Sequence, residues 1–354
     1  MKILFVCPSK KLFNNPFIIE LSSAMKKLGY QVNTSVSEFW KHPYNYDIIH
    51  IQWPHAIFNF STPTTTEIIQ LKKHFDNIRG QVQLIYTRHN EKPHYNNDKN
   101  LRECYKLVEE SVDAIIHLGK YGIDELKKRF SQTQHFIIPH HIYENIYNIK
   151  ISKKEARTKL HIPLNDFVIL SFGAFRNIEE AQMIIDSFKI VQIPNKRLIA
   201  PSIGQPLNLY VRRRNIFKWI SAWRKSFQLK RKHIYFSKKF VEDKEVSYYF
   251  AACDVVLIQR KKILNSGNLP LAFYFSKVVI GPNIGNVGIT LRETNNYTFN
   301  PNKLNSITSA IEKAYRSDRS SIEKANYLYA KEKFTLNKIA LMHINVYNTL
   351  LNKK

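Results

Sequence analysis

At 354 residues the chain is long enough for about two domains, each able to bury its own core. Apolar residues at 44% and charged residues at 23% exclude a disordered or fibrous protein. The 54 Lys and Arg against 28 Asp and Glu leave a net charge of +26, which points to an anionic partner: nucleic acid, a phosphorylated small molecule or an acidic membrane surface. Three widely spaced cysteines, Cys7, Cys104 and Cys253, provide neither a disulfide framework nor a CxxC zinc site. The apolar stretch in MKILFVCPSK is too short for a signal-peptide core, and the apolar run over 269–280 is broken by Pro270, Ser276 and Lys277. The expectation is a cytoplasmic chain that spans no membrane.

In chain order, short β-rich runs alternate with amphipathic segments: ILFVC, NPFIIELSSAMKKLGY, DIIHIQW, EIIQLKKHF, VQLIYT, LRECYKLVEES, VDAIIHLG, IDELKKRF and HFIIP. This is the βαβ rhythm of a parallel sheet with helices on both faces. A second series follows through KKEARTKLHIP, FVILSFG, a helix over 178–188, RLIAPSIG, HIYFSKKF, VSYYFAACDVVLIQ, an apolar helix near Pro270, KVVIG and closing helices. The predicted architecture is α/β, with two Rossmann-like doubly wound domains facing a central cleft. They span 1–145 and 146–334, and a last helix, 335–354, returns to the first domain.

The first β-to-α turn, PSKKLFNNPF, holds no glycine, so the GxGxxG pyrophosphate loop of a dinucleotide-binding dehydrogenase is missing. P-loop, HExxH, GxSxG and RNP motifs are absent as well. Gly281, Gly285 and Gly288 in GPNIGNVG either build a loop or lie along a phosphate.

Several segments taken together, Asn15-Pro16-Phe17, DIIHIQWPH (47–55), TRHNEKPH (87–94), IPHHIY (138–143), LSFGAFR (170–176), AACDVVLIQ (251–259) and ILNSGNLPLAFYFSKVVIGPNIG (263–285), resemble GT-B glycosyltransferases. In particular they resemble the bacterial polysaccharide-assembly enzymes near family GT4 and their β-mannosyl and glucuronosyl relatives. It implies a hexosyltransferase that moves sugar from a UDP- or GDP-linked donor, its substrate, to a glycan or polyprenyl-diphosphate-linked acceptor. No metal or other cofactor is implied. The departures are specific. Ile263 and Leu271 stand where an E-x7-E pair belongs, Glu179 where a phosphate-binding Lys belongs, and Pro201-Ser202 in place of a Gly-Lys pair. The retaining route thereby loses support, and an inverting one is expected.

Transfer builds negative charge on the departing nucleotide diphosphate, which dipoles or cations must meet. Ser266, Gly267 and Asn268 open the helix that contains Ala272, offering either backbone N–H groups to a phosphate or a plain N-cap. Arg176 is the first side-chain cation, with Arg260 and Lys261 in reserve. An inverting displacement also needs a general base, and His89 and Glu91 cluster with His94 at a strand end. Glu91 either serves as the base or orients the His89 imidazole, a task open to His50 and His55 too. The acceptor side is assigned Asn15, Trp53, His55, His94 and His141.

Residues 211–232 contain nine Lys or Arg and no acid, with Ile216, Ile220, Trp223 and Phe227 at helical spacing and Phe217 and Trp219 beside them. This helix either lies on an anionic bilayer at the inner face of the plasma membrane, or is an outer helix whose aromatic face is core. Two other functional readings stay open: a catalytically inactive glycan- or nucleotide-binding relative, and a basic nucleic-acid-binding protein. Against the latter, the cations are scattered over both halves, so no nucleic-acid partner is expected.

Overall fold

The apolar runs pair into two six-stranded sheets, each parallel throughout. The computed structural model describes residues 1–8, 16–91, 98–211, 215–237 and 241–352. Parallel strands covered by helices on both faces are buried on both, which is why they read as continuous hydrophobic runs rather than alternating ones.

The first series runs β1 (Lys2–Val6), α1 (Pro16–Lys27), β2 (Gln31–Thr34), α2 (Val36–Lys41), β3 (Ile48–Ile51), α3 (Thr65–Ile78), β4 (Gln83–Arg88), α4 (Lys99–Ser111), β5 (Ala114–His117), α5 (Ile123–Arg129) and β6 (Gln134–Ile137). Its strands lie in the order β2-β1-β3-β4-β5-β6, so the direction of winding reverses between β1 and β3. A capping box starts α3, where Thr64 and Glu67 satisfy each other's backbone N–H.

The second series is α6 (Lys153–Lys159), β7 (Phe167–Leu170), α7 (Ile178–Ile190), β8 (Lys196–Ile199), α8 (Ile216–Arg231), β9 (Ile234–Tyr235), α9 (Asp243–Ala252), β10 (Val255–Leu257), α10 (Asn268–Tyr274), β11 (Val278–Pro282), α11 (Gly285–Glu293), β12 (Tyr297–Phe299), α12 (Leu304–Arg316) and α13 (Ser320–Lys333). Here the order is β12-β11-β10-β7-β8-β9, with the reversal between β7 and β10. Arg157 of α6 is fully buried and fastens this sheet from below. It donates to Asp254 Oδ2 at 2.7 Å, and that same oxygen accepts the Val168 N–H at 2.7 Å.

The chain ends in α14 (Leu336–Leu351). Its residues Ile339, Ala340, Ile344 and Tyr347 pack into the core formed by Phe17, Leu21 and Met25 of α1 with Ile3 and Phe5 of β1. Residues Met1–Tyr143 and Lys333–Lys354 therefore make one unit, and Glu144–Glu332 the other. No helix among the described residues is long and apolar enough to cross a membrane. The three cysteines are buried, and burial pushes each thiol up to about 12.

Candidate functional site

In an open parallel sheet the carboxyl ends of the strands on either side of a winding reversal leave a crevice for ligands. Both units place polar side chains there. In the second unit β7 and β10 run side by side, with Leu170 opposite Val256, and deliver Ser171 to Arg176 and Gln259 to Lys261 to that edge. Gln259 is buried and ties the two together. Its Oε1 accepts from Ser171 Oγ at 3.1 Å, while Nε2 faces the carbonyls of Phe172 and Gly173 at 2.9 and 3.3 Å. Asn268, the first residue of α10, also donates to the Phe172 carbonyl, at 2.8 Å. Gly173 allows this approach: its φ is +87°, and a Cβ there would lie 3.1 Å from the Asn268 amide nitrogen.

The three cations expected at this edge are held in different ways. Arg260 Nη1 pairs with Glu180 Oε2 at 2.8 Å, with side-chain exposures of 14% and 3%, and Nη2 donates to the Ala174 carbonyl at 2.8 Å. Lys261 Nζ pairs with Glu179 Oε2 at 2.9 Å in a far more exposed contact. Arg176 directs Nη1 to the Lys262 carbonyl at 2.7 Å, and its backbone N–H to Glu180 Oε2 at 2.8 Å. Glu179 thus has a lysine brought to it from the segment that follows β10. A surface concavity beside this pair is lined by Glu179, Lys261, Pro301 and Asn302.

Ser266 and Gly267 lead into α10, seven residues long, with Gly267 as its N-cap at an ordinary right-handed φ of −65°. The glycines of GPNIGNVG are packing residues. A Cβ on Gly285 would lie 2.2 Å from the Ile263 carbonyl oxygen, and one on Gly281 would lie 2.7 Å from Leu291. At the start of α11 the Asn286 N–H donates to the Leu264 carbonyl at 2.9 Å, which fixes the loop before Ser266.

In the first unit His89 follows β4 directly, and Gln52 and Trp53 follow β3, the neighbouring strand. The His89 imidazole is 9% exposed, stacked on Trp53 at 4.5 Å and 18° and met edge-on by Phe17 at 5.2 Å. Its Nε2 lies 2.8 Å from Gln52 Oε1. An amide oxygen only accepts, so Nε2 carries a proton. The Gln52 amide group donates onward to His50 Nε2 at 3.2 Å, and Thr87 Oγ1 lies 2.7 Å from the same nitrogen. His50 Nδ1 then bears the proton and meets the Tyr347 hydroxyl of α14 at 2.6 Å. Burial above all, then the neighbouring His343 and His89, keeps the His50 pKa well below its usual value.

Not every residue assigned from sequence joins these clusters. Glu91 is exposed, whereas the His89 ring is buried with Nε2 against the Gln52 amide oxygen. His55 Nδ1 lies 3.1 Å from the Tyr105 hydroxyl and its ring stacks on that ring, with burial lowering its pKa to about 4. His141 has no exposed surface: its nitrogens face the carbonyl oxygens of Ile142 and Phe17 at 2.9 and 3.1 Å, and its ring stacks on Phe17. It serves the core instead of presenting itself to an acceptor. Asn15 and His94 lie outside the described residues. Sequence reasoning missed Gln52, Gln259, Glu180 and Tyr347. The first two follow strand runs closely, so their place at a strand end was the available signal, but Tyr347 is 297 residues from its partner and had none.

No family model and no curated protein matches the sequence. Solved structures do match over the whole fold. Sucrose-phosphate synthase from Thermosynechococcus elongatus is 15% identical with a TM-score of 0.71, covering 100% of both chains. A glycosyltransferase from Rickettsia africae is 13% identical with a TM-score of 0.72, covering 99% of this chain and 98% of that one. HepE from Anabaena, in complex with UDP-glucose, is 16% identical with a TM-score of 0.66, covering 99% and 100%. With two parallel doubly wound sheets and these neighbours, the chain has the GT-B fold.

Proposed function

We propose that the chain is a glycosyltransferase that moves a hexosyl group from a UDP- or GDP-linked donor to a lipid-linked or polysaccharide acceptor, with inversion and with no resident metal or other cofactor. The observation that carries this reading is the crevice edge between β7 and β10, where Gln259 and Asn268 fix the Phe172–Gly173 backbone among three cations. The nucleotide diphosphate would be met by Arg176 and Lys261 and by backbone N–H groups of the loop holding Ser266 and Gly267, with Arg260 steadying that edge. In the first unit His89 Nδ1 is the proposed base. The acceptor oxygen attacks the anomeric carbon, the bond from that carbon to phosphate oxygen breaks with its electron pair leaving on the nucleotide, and the acceptor proton passes to Nδ1. Trp53, stacked on His89, would line the acceptor side, which for a lipid-linked acceptor lies at the cytoplasmic face of the plasma membrane.

HepE is described with UDP and with UDP-glucose, which supports uridine nucleotides as the first donors to try. A thermal-shift panel of UDP-, GDP- and ADP-linked sugars tests the reading, because a ligand that binds only the folded state raises its apparent stability. A rise in Tm with one nucleotide class is expected, and no rise with any sugar nucleotide would overturn the proposal. The pairing of Arg260 with Glu180 and of Lys261 with Glu179 favours a second reading, a relative that binds nucleotide without transferring sugar. Saturable UDP-glucose binding with neither hydrolysis nor transfer would establish it.

A further inference from the structure

Helix α8 wears its apolar stripe on the outside. At about 100° per residue, Ala222 and Leu229 share the face that is buried on the second sheet, and they are the only buried residues of the helix. Ile216, Ile220, Trp223 and Phe227, spaced i, i+4, i+7 and i+11, fall on the opposite face. Of these, Ile216 is 54%, Trp223 57% and Phe227 51% exposed, and Phe217 beside them is 82% exposed. The reading of this face as core is therefore corrected. The Trp223 and Phe227 rings are stacked at 5.8 Å and 12°, so two aromatic rings of the stripe lie side by side on the exposed face. Arg224 and Arg231 project along one side of it and Lys230 along the other, with Arg231 over the Phe227 ring at 5.9 Å. No acid occurs anywhere in Ile216–Arg231. Arg212, Arg213 and Arg214, immediately upstream in sequence, lie outside the described residues.

An ordinary surface helix turns its charges outward and its aromatics inward. Here both point outward, and the two features select the occupant. A second copy of the same face would set the three cations that flank the stripe, Arg224, Lys230 and Arg231, against three more. An acidic macromolecule would use the cations and leave the aromatic stripe wet. A bilayer bearing anionic headgroups uses both: aromatic rings enter the headgroup boundary, and the flanking Arg and Lys stay at the phosphate level with their stems along the apolar surface. We infer that the outer face of α8 docks the second unit on an anionic lipid surface, the helix lying in the plane of the interface.

This surface is independent of the donor reading, because vesicle binding is measured without nucleotide and nucleotide binding without vesicles. The test is flotation of the full chain with phosphatidylcholine vesicles and with an equal mixture of phosphatidylcholine and phosphatidylglycerol. The parent is expected to float with the mixed vesicles and far less with phosphatidylcholine alone. In Arg224→Ser/Lys230→Ser/Arg231→Ser, binding should fall about 100-fold, as removal of three cations near such a surface implies. In Phe217→Ser/Trp223→Ser/Phe227→Ser it should fall at least ~10-fold, since each ring removed is apolar area the bilayer no longer covers. Both variants should keep the parental unfolding temperature, because every side chain replaced is exposed. Parental binding by the aromatic variant would overturn the inference in favour of an acidic macromolecule. Concentration-dependent dimerisation lost in that variant, without vesicle binding by the parent, would overturn it in favour of a second copy.

Discussion

The Tyr347 hydroxyl lies 2.6 Å from His50 Nδ1, so the last helix of the chain ends a buried polar line that runs from Tyr347 through His50 and Gln52 to His89. Tyr347 and His50 have no exposed surface, and neither group has water to fall back on. Tyr347→Phe leaves the His50 N–H facing a ring edge. A buried donor without an acceptor costs about 1–3 kcal/mol. Equilibrium unfolding in urea should show that loss as a lower midpoint with an unchanged slope, and an unchanged midpoint would mean that the contact contributes nothing.

Gln52 makes a separable prediction, because it touches His89 itself. Gln52→Leu removes the acceptor that holds the His89 proton on Nε2 while the ring keeps its stack on Trp53. Turnover should drop ~10- to 100-fold with nucleotide affinity preserved, and His89→Ala should drop it at least ~100-fold. Glu91 is exposed, so Glu91→Gln should turn over near the parental rate. Steady-state kinetics on the three variants decide the matter, and the opposite ranking, with Glu91→Gln the worst, would transfer the base role to the carboxylate.

Burial holds several histidines of the chain below their usual pKa, and acid should destabilise the fold. Burial lowers His55 and His343 to about 4 and His117 and His140 to about 3, and holds His50 well below its usual value. In the unfolded chain each titrates near ~6.5. Between those values the unfolded state binds more protons, so the stabilisation is complete above roughly pH 6.5 and is lost as the pH falls toward the folded-state values, each group adding a slope of up to about 1.4 kcal/mol per pH unit. Tm should therefore fall steeply below about pH 6. In His343→Gln, where the original ring donates Nδ1–H to the Ile339 carbonyl and leaves Nε2 unsatisfied, the slope should be shallower. A flat Tm between about pH 7 and 5 would contradict this.

The two sheets were legible because parallel strands buried on both faces, such as ILFV of β1 and FVIL of β7, announce themselves as unbroken apolar runs. Their strand ends located the clusters around His89 and Arg176 for the same reason. The aromatic spacing of α8 was visible too, but periodicity gives the stripe and not its direction, and only packing shows that Ala222 and Leu229 face inward. Gln52 and Gln259 escaped notice because a neutral amide has no titration and no metal chemistry to mark it. Glu179 looked like the loss of a cation when aligned along the chain. In space the cation arrives from Lys261, 82 residues away, a substitution that no one-dimensional comparison shows.

The three donor-edge cations should separate into one structural and two ligand-binding groups. Arg260 is fixed at both ends of its guanidinium, to Glu180 and to the Ala174 carbonyl, and Glu180 is only 3% exposed. Glu180 also accepts the Arg176 N–H, so it organises the turn into α7. Truncating Arg260 strands a buried carboxylate, a change that costs about 3–5 kcal/mol where the pair is well desolvated. Lys261 and Glu179 are largely in water, where such a pair contributes about 0–1 kcal/mol, so Lys261 can turn to a phosphate at little cost. Arg260→Ala is accordingly expected to lower the unfolding temperature without ligand, and Glu180→Gln to do so less, because a neutral amide still accepts from Arg260. Lys261→Ala and Arg176→Ala should leave that temperature near the parental value and weaken nucleotide-diphosphate binding roughly tenfold each, as the loss of one charge-assisted contact of about 1.4 kcal/mol implies. Calorimetric titration with UDP alongside unliganded Tm separates the two effects. If Arg260→Ala kept its stability and lost nucleotide, while Lys261→Ala bound it as before, the assignment of phosphate contacts at this edge would have to be reversed.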